Sequence, residues 1–252
     1  MRFTFMQEIR KLIDSLEEKS SPSIEKAITI CTASIAKGRV VNLFGAGHSA
    51  LPCMEAFPRI GSFVGFHQIT EPGLGFNGFV TGKGGQRQMS FMENTPGLAK
   101  IIFENYNFTP DDSLIIFSHS GINAVPVELA EEANKVGMQS VAVMSLAHSA
   151  TQRAKAPSGK KLNEVASVVI DTTVPPHDAV VEVGNSQKSG GASTVIAMII
   201  IDTIVSECAK RLYIQDFPLK IYPSHNVSED LESVLDRERA LFDAYKQLIA
   251  KL

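Results

Sequence analysis

Residues 40–49, Val40-Val41-Asn42-Leu43-Phe44-Gly45-Ala46-Gly47-His48-Ser49, and residues 114–123, Leu114-Ile115-Ile116-Phe117-Ser118-His119-Ser120-Gly121-Ile122-Asn123, share one plan. In each, a short apolar run stops at glycines and hydroxyl side chains, and a helical pattern follows. An apolar run of this length without polar alternation is a strand buried on both faces, as in a parallel sheet covered by helices. Right-handed crossovers then bring the C-terminal ends of all such strands to one edge of the sheet. The two serine-bearing loops therefore open on the same side.

The pattern continues outward from these stretches. Residues 63–69, 141–144 and 165–170 read as further strands. Helical patterns occupy the stretch up to about residue 60 and about 97–106, 124–136, 192–212 and 228–250. Residues 71–96, with six glycines, read as loop. Before the first strand the spacing predicts two helices, about 3–18 and 23–36, parted by Ser-Ser-Pro-Ser at 20–23 with Ser23 as a cap. The chain divides into a helical N-terminal extension (1–38), an α/β core (39–215) and a C-terminal loop and helix (216–252). From Val195 to Ile201 the last core helix is apolar all round, so it is expected to be buried on every side and to need cover from the same or a neighbouring chain.

Composition narrows the function. The 252 residues are 44% hydrophobic and 20% charged, with a formal net charge of -3, which argues against a nucleic-acid-binding surface. Seven apolar residues are the longest such run, whereas a membrane span needs ~20, so no membrane association is expected. Cys31, Cys53 and Cys208 are scattered, odd in number and without C-x-x-C spacing, which suits a reducing cytoplasm. No histidine pair has zinc-ligand spacing, so neither a metal nor another cofactor is expected.

Glycines in the first loop let the backbone turn sharply and approach a ligand, and the helix start offers free N–H groups to an anion. Gly45, Gly47 and Ala50 also fit the dinucleotide pattern G-x-G-x-x-A, with Glu71 where a ribose-binding acid would sit. Alone, this loop does not choose between the two ligands. The second loop, with hydroxyls at Ser118 and Ser120, suits the many acceptor oxygens of a phosphate monoester, and a dinucleotide site does not need it. The phosphate reading is preferred. The plain alternative for each loop is a capped turn, with Ser49, Ser120 or Asn123 as the cap.

G-x-G-x-S after one strand and S-x-S-G after a later one resemble the SIS, or sugar isomerase, domain. Ser145-Leu146-Ala147-His148-Ser149, Ser158-Gly159-Lys160-Lys161-Leu162 and Asp178-Ala179-Val180-Val181-Glu182 extend the likeness over most of 25–230, toward a single-domain branch labelled phosphoheptose isomerase. The resemblance implies a flavodoxin-like, three-layer fold with five parallel strands, a sugar-phosphate ligand and a homo-oligomer. It carries the phosphate-binding positions onto Ser49, Ser118, Ser120 and Asn123, with Gly47, His48, His119 and Gly121 in the same loops. Ser193 and Thr194, in the loop before the last core helix, would face the sugar. Two positions depart from the pattern: Arg59 and Ile122 stand where many isomerase members carry glutamates.

Moving a proton between C1 and C2 of a sugar through an enediol needs a base near those carbons and a second group for the hydroxyl proton. Glu55 is the expected base, ~9 Å along its helix from Ser49, with Glu71 and Glu182 in reserve. His177, in Pro175-Pro176-His177-Asp178, follows the last strand onto the same edge and is the second catalytic candidate. Lys83 and Arg87 would reach a phosphate if 71–96 closed as a lid. A sugar-phosphate isomerase is the expectation; a lyase or etherase, or a sensor that binds without reacting, are the alternatives.

Overall fold

A computed structural model describes residues 3–75, 82, 84–226 and 230–252. Its centre is a sheet of five parallel strands in the order β2-β1-β3-β4-β5: β1 Val41–Gly45, β2 Phe66–Gln68, β3 Ser113–Phe117, β4 Gln139–Met144 and β5 Val168–Asp171. The β3 residues show why both faces had to be apolar. Ile115 and Phe117 enter one core, Leu114 and Ile116 the other, and each is at most 2% exposed. Alternate side chains of a strand face opposite ways, so helices are needed on both sides.

One helical layer holds α1 (Thr4–Ala36), α2 (Leu51–Ala56), the long α9 (Ser193–Ile214) and α10 (Leu231–Ile249). The other holds α4 (Gly85–Glu93), α5 (Leu98–Glu104), α6 (Ala124–Lys135) and α8 (Leu162–Val165). Short α3 (Pro72–Gly75) and α7 (Leu146–Ala150) line the strand-end loops.

The expected break at 20–23 does not occur: α1 is one continuous helix of 33 residues with Pro22 inside it. Leu16, Ser20, Ala27, Cys31 and Ile35 keep one buried stripe running past the proline. Ser20 Oγ donates to the Asp171 carbonyl at the end of β5 (2.7 Å), fastening the helix to the sheet beside the weak turn. Tertiary packing outweighs the local proline penalty here. The helix after β1 is also shorter than expected, beginning with a 3-10 turn at Gly47–Ala50 and ending at Ala56. Residues 71–96 are not simply loop, since they contain α3 and α4. Val165 ends a helix rather than starting a strand.

A two-stranded antiparallel hairpin, β6 Ala179–Gly184 and β7 Gln187–Gly191, was not foreseen. Along α9, Ile196, Ala197, Ile200, Ile201 and Ile204 are buried against sheet and α1, but Val195, Met198 and Ile199 remain half-exposed. Burial on every side is therefore not reached within one chain. No described helix is long and apolar enough to cross a membrane.

If α1 is one helix, Pro22→Ala restores a missing backbone hydrogen bond and should raise stability by roughly 1–3 kcal/mol in urea unfolding. An unchanged or lower stability would contradict a continuous helix.

Candidate functional site

All five strands end on the same edge, and the loops after β1, β3, β4 and β5 converge there. In the first loop a Cβ on Gly45 would lie 1.9 Å from the Ser49 carbonyl, so the chain folds back on itself too closely for any side chain. That turn presents His48 and Ser49 to the edge.

The second loop is stitched to the end of β4. Ser118 N–H donates to the Val143 carbonyl (3.0 Å), and Ser145 N–H donates to the His119 carbonyl (2.9 Å). Gly121 has φ +62°, and a Cβ there would sit 2.3 Å from Met144 Cε. Ser118 Oγ accepts from Gly121 N–H (3.2 Å), which closes the loop around its own hydroxyl. Asn123 occupies the cap position of α6, but its side chain makes no capping bond. Its Oδ1 instead accepts from Lys155 Nζ at 3.1 Å.

The loop after β5 carries Asp178, whose carboxylate is the anchor of the far wall. Oδ1 accepts from the backbone N–H of Ala192 (2.8 Å) and Ser193 (2.6 Å), and Oδ2 accepts from Ser193 Oγ (2.9 Å). A distant side chain thus caps α9, where an anion is favoured by the helix dipole. Thr173, His177 and Asp178 all hold positive φ in this loop, a region non-glycine residues seldom occupy.

These loops enclose a small pocket of about 20 Å³, lined by His48, Ser49, Ser118, His119, Thr172 and Ser193, with Thr194 beside them. Three buried polar atoms at this pocket, both ring nitrogens of His119 and Oγ1 of Thr172, have no protein partner among the described residues. Leaving such groups unpaired costs ~1–3 kcal/mol each.

The imidazoles form a chain along the edge. The His119 and His148 rings lie 4.7 Å apart, and His177 meets His148 edge-on at 5.8 Å. His177 backbone N–H donates to His148 Nδ1 (3.0 Å), so a neutral His148 carries its proton on Nε2. Burial lowers the pKa of His119, opposed by the negative charge of Asp178 and assisted by His148. His148 is lowered for the same reasons, burial first and then His177, again opposed by Asp178. Both rings are therefore neutral near pH 7.

The expected residues do not all gather. His48, Ser49, Ser118, His119, Ser193 and Thr194 line the pocket. Ser120, Gly121 and Asn123 continue the loop beyond it, and Gly47 packs under Met89 of α4. His177 is exposed and reaches the pocket only through His148. Glu55 is elsewhere: its carboxylate is paired with Arg59, beside Asp202 of α9, and it does not line the pocket. Glu71 accepts from Gly73 N–H within its own turn, and Glu182 pairs with Lys188 across the hairpin. Residues 76–81 and Lys83, the centre of the segment read as a loop with a lid as the alternative, lie outside the described residues. Thr172, His148 and Asp178 were given no site role from sequence. A serine–histidine segment after β4 and an aspartate directly after His177 were the available signals.

A model of the SIS domain matches residues 4–145, more than half of the chain. The chain belongs to the SIS domain family. Among curated relatives of this SIS protein, the UPF0309 protein of Listeria monocytogenes serotype 4b is 28% identical, covering 96% of this chain and 94% of that one. The UPF0309 protein of Caldanaerobacter subterraneus is 28% identical over 98% of each. Among solved structures, phosphoheptose isomerase from Neisseria gonorrhoeae superposes with a TM-score of 0.55 at 13% identity, covering 81% of this chain and 95% of that one. The phosphoheptose isomerase from Francisella tularensis gives 0.53 at 13%, covering 82% and 95%. At such identities the structural likeness speaks to the fold.

Asp178→Ala leaves the first N–H groups of α9 without their acceptor. Urea unfolding should show a loss of about 2–3 kcal/mol. A loss within experimental error would remove Asp178 as the anchor of the wall.

Proposed function

We propose that this SIS protein binds a sugar phosphate at the convergent loops and isomerises it between aldose and ketose through an enediol. The observation that carries the reading is His119, whose two ring nitrogens are buried and unpartnered in a pocket between the two serine loops. Phosphate is held by the hydroxyls of Ser49, Ser118 and Ser120, which leaves the carbons to reach the pocket where Ser193, Thr194 and Thr172 bond sugar oxygens. Names of the fold neighbours, phosphoheptose isomerases, agree with this class of substrate.

With Glu55 held by Arg59, the acid–base work falls to the imidazoles. Neutral His119 takes the proton from C2 while His148 Nε2–H protonates the carbonyl oxygen on C1, giving the enediol. His148 then removes the proton of the C2 hydroxyl, and His119 returns its proton to C1. Two neutral histidines of lowered pKa suit this exchange near pH 7. His177, by bonding His148 Nδ1 through its backbone, fixes the tautomer that makes the first step possible.

The half-exposed Ile199 of α9 borders a groove of about 390 Å³ between α1 and α9, lined also by Ile13, Leu16 and Ile24. A second copy of the chain is the occupant proposed for this face. Light scattering at micromolar concentration should then give a dimer or larger, and a 27.3 kDa particle would contradict it.

Ser120→Ala should weaken a bound sugar phosphate by ~1–3 kcal/mol in calorimetry without unfolding the protein. The unphosphorylated sugar should bind poorly to wild type, and equal affinity for both would refute the phosphate assignment.

Turnover should exchange the C2 hydrogen with solvent deuterium, and His119→Asn should abolish exchange while retaining binding. Because the working rings are depressed, kcat/KM should be flat at neutrality and fall only below the ordinary histidine value of about 6.5. An acid limb above that value, or full exchange in His119→Asn, would move the base elsewhere. Tight binding with no exchange in wild type would favour a sensor.

A further inference from the structure

A phosphate monoester brings nearly two negative charges, and the hydroxyls of the serine loops offer it none of the opposite sign. The lip of the second loop holds a cation that the reading above does not use. Lys155 is tied to this loop twice. Its backbone N–H donates to the Ile122 carbonyl (2.9 Å), and its Nζ donates to Asn123 Oδ1 (3.1 Å) on an otherwise exposed side chain. An ammonium has three N–H donors, so two remain for other oxygens.

Glu93 also stands near this amide and near Lys155. Glu93 ends α4, the helix that crosses both serine loops. One turn earlier, Met89 lies 3.0 Å from where a Gly47 Cβ would be. Burial pushes the Glu93 carboxyl up, while Asn123 and the positive charge of Lys155 draw it back down. Lys161 donates instead to the Ser149 carbonyl (2.6 Å), after β4.

We propose that Lys155 is the cation that neutralises phosphate bound at the 118–123 loop, held at its lip by the Asn123 amide and the Ile122 carbonyl. Asn123 then presents the cation rather than touching phosphate itself. This proposal rests on the phosphate reading of the loop, and the test separates the two.

Inorganic phosphate is titrated into the intact protein by calorimetry at low salt, for wild type, Ser120→Ala, Lys155→Met and Lys155→Arg. Lys155→Met should weaken binding by roughly tenfold or more, the scale of a hydrogen bond to a charged group. Lys155→Arg should keep most of the affinity, because the charge is retained. If Ser120→Ala weakens binding and Lys155→Met does not, Lys155 is a surface side chain and the inference is overturned while the loop assignment stands. If neither substitution weakens binding, or wild type takes up no phosphate, both fall.

Discussion

The bond between Asp178 and the start of α9 is the constraint on which the rest of the site depends. One carboxylate receives two backbone N–H groups and the Ser193 hydroxyl, joining the loop after β5 to the helix that forms the far wall. It sets where Ser193 and Thr194 face. It closes the root of the hairpin, because Ala192 N–H also donates to the Asp178 carbonyl (3.3 Å). Its charge is also felt by His119 and His148, moderating the pKa depression that burial imposes on both. A group that is structural by its hydrogen bonds is thus electrostatic for its neighbours. The positive φ at His177 and Asp178 is tolerated because the surrounding bonds hold the loop in place.

Sequence alone showed the sheet and its two serine loops, and the physical reason is local. A strand buried on both faces needs an unbroken apolar run, and a tight strand-to-helix turn needs glycine at positions such as Gly45 and Gly121. What remained hidden was tertiary. Ser-Ser-Pro-Ser reads as a break, yet Ser20 reaches the end of β5 and α1 runs straight through. Glu55 looked like the base because distance along a helix is readable. The side it faces was not, and Arg59 four residues on is the partner it took. His148 stood in a marked serine–histidine segment, but its tautomer is set by a backbone N–H twenty-nine residues away, which no spacing shows. Asn123 was expected to touch phosphate, and its Oδ1 accepts from Lys155, a partner 32 residues away that spacing does not reveal.

Arg59 and Ile122 acquire a meaning in this arrangement. Where many isomerase members carry glutamates, this chain has a cation that neutralises Glu55 and an apolar side chain that is 5% exposed. No carboxylate among the described residues lines the pocket, and the imidazoles of His119, His148 and His177 stand in a row beside it. The pocket has room for about one water-sized group, so a bound sugar phosphate would seat a single oxygen there and leave its phosphate and other carbons in the loops above.

Whether phosphate and sugar divide between the serine loops and the histidine pocket is decided by a crystal structure of the protein with a bound sugar phosphate. Phosphate oxygens should lie within hydrogen-bonding distance of the Ser49, Ser118 and Ser120 hydroxyls, with a sugar oxygen or the C2 carbon against the His119 ring. Phosphate density away from both serine loops, or a sugar bound with the His119 nitrogens still unpartnered, would contradict that division.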